Sequence, residues 1–136
     1  MATRRFYSLP EFARVPVLLR ETDDLWNNGR LLDPAIVLAN RNWSMLLRDF
    51  GPRSQVDSLL IPQRGGKFGV AINRRRAPSA PFAQWLIAHE LAHAMFYDRA
   101  DPPQRMFRWT PNEERFCDRF ADEYQLGLTR SMVGAA

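Results

Sequence analysis

Both histidines of this 136-residue chain lie in one short apolar segment, WLIAHELAHAMFYD over residues 85–98. His89 and His93 are four positions apart, and Glu90 stands between them. In a helix, residues four apart lie on the same face one turn from each other, so the two imidazoles would point to one place. Convergent imidazoles are common metal ligands. The segment therefore predicts a metal site on a helix.

The string HELAH also matches the HExxH pattern, in which two histidines bind zinc and the glutamate is a general base. The simpler interpretation is that two partly exposed histidines lie on an ordinary structural helix. Apolar residues on both faces predict instead that this helix, capped by Ser79 and ending near Asp98, is buried. A buried polar group without a partner costs about 1 to 3 kcal/mol, so His89, Glu90 and His93 need a compensating interaction. A divalent cation would supply it.

A third metal ligand must come from elsewhere in the chain, because a catalytic zinc ordinarily has three protein ligands and one open position. There is no third histidine, and Phe96 and Arg99 stand where the extended metzincin motif needs glycine and histidine. A carboxylate must therefore serve, and the nearest cluster is Glu113, Glu114 and Asp118. Glu114 and Asp118 have the spacing of thermolysin-like sites, in which the aspartate supports a ligand histidine without touching the metal.

The sequence TPNEERFCDRFADEYQLG predicts the helix that carries this carboxylate cluster. Thr110 and Glu113 have the spacing of a capping box, with Pro111 at the first helical position and Gly127 as the terminator. Helix geometry alone does not choose Glu114 over Glu113 as a ligand, but capping accounts for Glu113 otherwise. Aromatic residues at every fourth position form a stripe predicted to face the core: Phe116, Phe120 and Tyr124.

Upstream of the metal helix, the sequence predicts one further helix and one pair of strands. The segment DPAIVLANRNWSMLLRDFG, residues 33–51, reads as a helix capped by Asp33. SQVDSLLIP and KFGVAIN read as two strands, and the turn PQRGGK between them predicts an antiparallel pair. Pro10 and Pro16 allow only short helical pieces near the start, and Asn-Asn-Gly at residues 27–29 predicts a turn. This order of elements predicts an α+β fold.

The composition is that of an ordinary globular protein, with 46% hydrophobic and 25% charged residues. The length predicts a single domain over residues 1–136. No apolar run reaches the roughly 18 residues of a membrane span, and no signal-peptide core is present, so we expect a cytoplasmic protein without membrane contact. The only cysteine, Cys117, cannot form an internal disulfide and is expected to be a small buried residue rather than a ligand.

The net charge of +4 includes one local basic cluster, Arg74–Arg76. The cluster is either a solvated loop or a surface that meets an acidic partner. A nucleic-acid-binding domain would have only these three arginines in its support. We therefore do not expect direct binding of nucleic acid.

A family resemblance adds to this interpretation. HELAH, followed by ERFCDRFA, resembles the ImmA/IrrE family of zinc-dependent peptidases, whose second motif is commonly a glutamate, an asparagine or aspartate four residues later, then phenylalanine and alanine. The matching positions here are Glu114, Asp118, Phe120 and Ala121. With the strand KFGVAIN upstream, the resemblance covers about residues 55–126. It ends at YQLGL, where the family often has Leu-Leu-Met-Pro.

The resemblance implies a zincin-like fold, in which a small antiparallel or mixed sheet packs against the HExxH helix and a following ligand-bearing helix. It implies a Zn²⁺ site formed by His89, His93 and Glu114, with Asp118 supporting a ligand histidine. The function implied is that of a zinc-dependent endopeptidase that cleaves a specific regulatory protein, such as a transcriptional repressor, with Glu90 as general base. The alternative is a protein-binding module of the same fold, in a toxin–antitoxin pair or a phage switch, that acts without proteolysis.

The sequence also offers candidates for peptide binding and for stabilisation of the oxyanion. An extended peptide could add to the edge of the small sheet, with Lys67–Asn73 as the candidate strand. The oxyanion could be stabilised by Tyr97, Tyr124 or an arginine, if the fold brings one of them to the metal.

Overall fold

The computed structural model describes residues 11–98 and 111–134. Within these residues the chain forms four α-helices and two small β-sheets, which confirms the predicted α+β class. No helix among them is long and apolar enough to cross a membrane. The helices are α1 (Glu11–Glu21), α2 (Pro34–Asn40), α3 (Ala80–Asp98) and α4 (Pro111–Gly134). The strands are β1 (Trp26–Asn27), β2 (Arg30–Leu31), β3 (Ser44–Arg48), β4 (Ser58–Pro62) and β5 (Phe68–Asn73).

The turn predicted at residues 27–29 is the tip of the β1–β2 hairpin. Asn28 has φ of 53° and Gly29 has φ of 78°, and a tight hairpin turn with two positive φ angles favours an Asn-Gly pair. The helix before this hairpin is longer than predicted, because Pro16 lies inside α1 rather than ending it. Val15 and Leu18 of α1 are fully buried, so packing holds a helix that the proline disfavours.

The larger sheet has the strand order β3-β5-β4, with β3 parallel and β4 antiparallel to β5. The antiparallel pair predicted from SQVDSLLIP and KFGVAIN is confirmed, and the sheet is mixed. The expectation that Lys67–Asn73 offers a free edge is wrong, because β5 is the central strand. Its second edge is taken by β3, a strand that the sequence did not predict.

The prediction of a single helix over residues 33–51 is wrong for the second half of that range. Asp33 does cap α2, since its side chain accepts a hydrogen bond from the Ala35 amide at 2.9 Å. The helix ends at Asn40, and Asn42 then adopts a φ of 58° that turns the chain. The following residues form β3 because pairing with β5 outweighs their local preference, which no short-range pattern reveals.

The last helix continues past Gly127, the predicted terminator, as far as Gly134. A Cβ atom at position 127 would lie 2.8 Å from Leu31 Cδ2, closer than ordinary packing permits. Glycine at this position therefore lets α4 approach β2 instead of ending the helix. The aromatic stripe of α4 is in the core as predicted, with Phe116, Phe120 and Tyr124 all buried.

Helix α3 is the central element of the fold, since it contacts α4 on one side and strands β4 and β5 on another. The hydroxyl of Ser79 accepts a hydrogen bond from the Phe82 amide at 3.3 Å, which confirms the predicted start of this helix. Its middle is buried on all sides, as predicted from apolar residues on both faces. The fully or nearly fully buried apolar residues of α3 are Leu86, Ile87, Ala88, Leu91, Ala92, Ala94 and Met95.

A buried asparagine holds the connection between β3 and β4. The Asn73 side-chain oxygen accepts hydrogen bonds from the amides of Phe50 and Arg75, and its amide group donates to the Val56 carbonyl at 2.9 Å. Asn73 itself is fully buried at the end of the central strand. Its side chain therefore replaces sheet hydrogen bonds that an irregular segment cannot form.

Two of the three arginines in the cluster are paired within the chain. Arg74–Arg76 form one turn of 3₁₀ helix, in which Arg75 contacts Asp49 at 2.5 Å and Arg76 contacts Asp57 at 2.6 Å. Exposed ion pairs of this kind contribute little to stability because solvent screens them. They nevertheless occupy two of the three cations that could have met an acidic partner.

Replacing Asn73 by alanine should lower the free energy of unfolding by roughly 1 to 3 kcal/mol, because backbone groups of residues 50–75 lose their buried partners. Urea denaturation of Asn73→Ala and the parent measures the difference. Gln63→Ala is the control, since the exposed Gln63 amide donates only to Ser44 Oγ. Equal losses in the two variants would show that Asn73 does not hold the connection.

Candidate metal centre

The centre lies between α3 and α4, which run antiparallel past each other. His89 and His93 lie one turn apart on α3, and their rings meet edge to face with centroids 4.8 Å apart. Glu114 reaches them from the first turns of α4. The histidines are almost fully buried and the Glu114 side chain is 38% exposed, so the centre opens to solvent on the Glu114 side.

The side chains of His89, His93 and Glu114 form a small triangle. The Nε2 atoms of His89 and His93 are 3.2 Å apart, Glu114 Oε2 lies 3.2 Å from His89 Nε2, and Glu114 Oε1 lies 3.0 Å from His93 Nε2. One donor atom from each side chain lies within 4.8 Å of the other two. Glu114 Oε1 has no hydrogen-bond partner among the described residues despite its short distance to His93 Nε2. His89, His93 and Glu114 could therefore hold a metal ion.

The second nitrogen of each histidine faces a further carboxylate. His93 Nδ1 is hydrogen-bonded to Glu113 Oε2 at 2.7 Å, and both side chains are buried. Asp118 Oδ1 lies 2.9 Å from His89 Nδ1, but the contact is poorly directed as a hydrogen bond and Asp118 is 52% exposed. Carboxylates in this position commonly fix the ring orientation of metal-binding histidines. The two histidines are thus supported unequally.

Glu90 lies beside the triangle and faces the sheet. It is 1% exposed, and one carboxylate oxygen accepts a hydrogen bond from the Ser58 hydroxyl of β4 at 2.8 Å. Its other oxygen, Oε1, is buried and has no hydrogen-bond partner among the described residues. A carboxylate with one oxygen fixed and one uncommitted can accept a proton from a group in the centre.

Burial and ion pairing shift the pKa values of the residues at the centre in opposite directions. Burial raises the pKa of Glu90, although the neighbouring histidines and the Ser58 hydroxyl oppose that shift. Contacts with His89 and His93 lower the pKa of Glu114 to about 2. Burial alone would lower the pKa of His93, but its contacts with Cys117, Glu113 and Glu114 outweigh burial and raise it to about 12. The centre therefore favours positive charge between the imidazoles and Glu114.

The structure brings together all five residues that the sequence singled out: His89, Glu90, His93, Glu114 and Asp118. Two neighbours of the centre were missed or misread. Ser58 had no signal in the sequence, since only the sheet brings it to Glu90. Glu113 was explained as a cap, whereas the structure places its side chain on His93. Its supposed capping partner, Thr110, lies outside the described residues.

The two tyrosines expected near an oxyanion do not lie at the centre among the described side chains. The Tyr124 hydroxyl donates to the Leu32 carbonyl at 2.5 Å, so this tyrosine is bound elsewhere and does not serve an oxyanion. The side chains of Phe96 and Tyr97 lie outside the described part of the chain. Cys117 is fully buried as predicted; it contacts His93, and burial raises the pKa of its thiol to about 12.

A cleft of about 1080 Å³ lies beside the centre but does not contain it. Its walls come from β2, the start of α3 and the second half of α4. Two of its polar side chains are already committed, because Gln84 donates to Asp33 and Gln125 donates to the Pro81 carbonyl. The buried side-chain atoms without a hydrogen-bond partner among the described residues belong to His89, Glu90 and Glu114, so the metal centre is the stronger candidate site.

Comparisons with protein-family models, with curated proteins and with solved structures found no match to this chain. The interpretation of the centre therefore rests on its residues and their geometry.

Removing either histidine should abolish binding of one zinc ion per chain, because each supplies one of three donor atoms. Elemental analysis of purified His89→Ala and His93→Ala, beside the parent, measures the metal content. Glu123→Ala is the matched control, since Glu123 lies on α4 outside the donor group. Undiminished zinc in either histidine variant would refute the site.

Glu114→Ala should weaken zinc binding more than Glu113→Ala, because only the first change removes a donor atom. Glu113→Ala is nevertheless expected to lower zinc affinity by about 10- to 100-fold, since His93 loses the carboxylate that orients its ring. Competition titration with a chromophoric chelator gives both affinities. The reverse order would show that Glu113 is the ligand, and a Glu113→Ala affinity equal to that of Glu123→Ala would make Glu113 a purely structural residue.

Proposed function

We propose that this chain is a zinc-dependent endopeptidase of the HExxH type with a zincin-like fold. The observation that carries the proposal is the convergence of His89, His93 and Glu114, together with the buried Glu90 that follows His89 on α3 and has one oxygen without a hydrogen-bond partner among the described residues. The order of elements supports it as well, because a small mixed sheet packs on the helix that carries HELAH.

The spacing of the donor atoms supports zinc as the metal. Bonds of about 2.0 to 2.1 Å in a tetrahedral site place neighbouring donor atoms about 3.3 to 3.4 Å apart. The two Nε2 atoms, 3.2 Å apart, come close to that spacing, and one donor atom from each of the three side chains lies within 4.8 Å of the others. Two imidazoles and one carboxylate are also a donor set typical of catalytic zinc, which leaves a fourth position for water.

In the proposed reaction, His89, His93 and Glu114 would hold the ion, which supplies a Lewis acid that polarises a peptide carbonyl and activates water. Glu90 takes the proton from the attacking water on its free oxygen and later delivers it to the leaving amine. Ser58 keeps one oxygen of Glu90 occupied, which leaves the other oxygen to take the proton. Burial raises the pKa of Glu90, which brings this carboxylate closer to the range where a base can also act as an acid.

The free edge of β4 is the proposed place for the peptide backbone of a substrate. Among the described residues β4 pairs only with β5, and its Ser58 touches the general base. An extended peptide that hydrogen-bonds to this edge would run beside the centre. The resemblance of HELAH and ERFCDRFA to the ImmA/IrrE peptidases further suggests that the substrate is a specific regulatory protein, such as a repressor.

The competing function is a binding module of the same fold that acts without proteolysis. A purely structural zinc site is usually closed by a fourth protein ligand, whereas the donor group among the described residues has three members. A structural site also has no need of a buried carboxylate with an uncommitted oxygen. Both features favour the enzyme.

Glu90→Gln should separate the two functions. The amide keeps the shape of the side chain and leaves the three donor atoms in place, so zinc content and melting temperature should match those of the parent. It removes the base, and the loss of general-base catalysis typically costs about 100- to 10,000-fold in rate. We therefore expect mass spectrometry of new protein N-termini, in native host cells expressing each form, to find cleavage products with the parent alone.

Glu123→Gln is the control for the charge change and should give the same cleavage products as the parent. Identical products from Glu90→Gln and the parent would contradict the peptidase proposal. A phenotype that persists in Glu90→Gln cells without any cleavage product would favour the binding module.

A further inference from the structure

The contacts between α3 and α4 form a ladder that extends beyond the metal centre. His93 contacts Glu114 at 3.0 Å, and one turn earlier on α3 His89 contacts Asp118 at 2.9 Å. One turn earlier again, the Trp85 indole N–H donates to Asp122 Oδ1 at 2.8 Å. Each step of four residues along α3 thus matches a step of four in the opposite direction along α4. The third step contains no metal ligand.

Trp85 is joined to the centre by more than this register. Its ring stacks on the imidazole of His89, with centroids 5.4 Å apart and planes inclined by 21°. On its other side Phe82 stacks at 6.0 Å and 17°. The Trp85 indole therefore stacks on Phe82 and on the ligand histidine His89. Its N–H is held by Asp122.

The two histidines differ in how much they need such support. His93 has a buried partner, Glu113, in a well-directed hydrogen bond. Among the described residues the Nδ1 atom of His89 faces only the half-exposed Asp118, and exposed charge pairs are weak because solvent screens them. Aromatic stacking in a partly buried place is worth about as much as a weak hydrogen bond. For His89, ring stacking is thus the better-defined of its two supports.

We propose that Trp85 is a positioning residue for the metal ligand His89, and that Asp122 holds Trp85 in the orientation this requires. The pair fixes the plane of the imidazole so that Nε2 points to His93 Nε2 and Glu114 before an ion binds. The inference deepens the proposed function, because it rests on the metal site of that function but not on proteolysis.

Zinc affinity of the full chain, measured by competition with a chromophoric chelator, tests this role. Trp85→Leu should lose about 10- to 100-fold in affinity, the usual effect of removing a group that orients a metal ligand. Trp85→Phe retains a stacking ring and should lose less than Trp85→Leu. Trp43→Phe is the matched control, because Trp43 packs on Phe68 in the sheet region and should bind zinc like the parent.

The absorption spectrum of the Co²⁺-loaded chain supplies a readout that general destabilisation would not move. Trp85→Leu should alter the ligand-field bands, because His89 is free to turn, while Trp43→Phe should leave them unchanged. Asp122→Ala changes an exposed residue and should weaken zinc binding in the same direction as Trp85→Leu. The Asp122→Ala variant tests the positioning role of Trp85 even if Trp85→Leu fails to fold.

Parent-like zinc affinity in Asp122→Ala and in any folded Trp85→Leu would overturn the positioning role and leave the peptidase proposal intact. Equal losses in Trp85→Leu and Trp43→Phe would overturn it too, since both would then reflect stability alone. A parent chain that binds no zinc would overturn both proposals. A chain that binds zinc with the expected order of affinities but cleaves nothing would refute the peptidase alone.

Discussion

The interface of α3 and α4 places two nearly buried imidazoles against three carboxylates, and the rest of the fold is arranged around that constraint. Charged and polar groups lose their hydration when they are buried, so they must be matched by opposite charge and hydrogen bonds. Here Glu113 faces His93, Asp118 faces His89, and Glu114 faces both. A cation between the donor atoms would complete the match, which would couple metal binding to the stability of the helix pair.

The remaining elements give this interface its rigidity. Helix α3 is covered by the sheet on one side and by α4 on the other, so the backbone that carries the two histidines is fixed in the core. Gly127 lets α4 approach β2, and Tyr124 ties α4 to the Leu32 carbonyl. The sheet contributes chemistry as well as cover, because β4 brings Ser58 to Glu90. Ligands thus come from two helices, while the proposed base is oriented from the sheet.

The features predictable from the sequence were those encoded at short range. The four-residue spacing of His89 and His93, and of Glu114 and Asp118, specifies one face of a helix whatever surrounds it. The cap at Ser79 and the hairpin turn at Asn28 and Gly29 are equally local. These patterns indicated both halves of the centre, although they could not show that Glu113 contacts His93 Nδ1 while Glu114 contacts the Nε2 atoms of both histidines.

What the sequence did not reveal depends on contacts between distant segments. Residues 44–48 read as helix but form a strand, because β5 offers them a parallel partner 25 residues further along the chain. The sequence predicted that Gly127 ends a helix. The structure shows instead that Gly127 lies inside α4, where a larger residue would come too close to Leu31. The Trp85–Asp122 and Glu113–His93 contacts likewise exist only once α3 and α4 are in register.

The most direct test of the centre is X-ray absorption spectroscopy at the zinc edge of the full chain loaded with one equivalent of zinc. The account predicts a shell of nitrogen and oxygen neighbours at about 2.0 to 2.1 Å, with the outer-shell scattering of two imidazoles and no sulfur. In Glu114→Ala the imidazole signal should persist while the nearest shell changes. A sulfur neighbour at about 2.3 Å, which could come only from Cys117 or a methionine, or a shell without imidazole scattering would contradict a centre built from His89, His93 and Glu114.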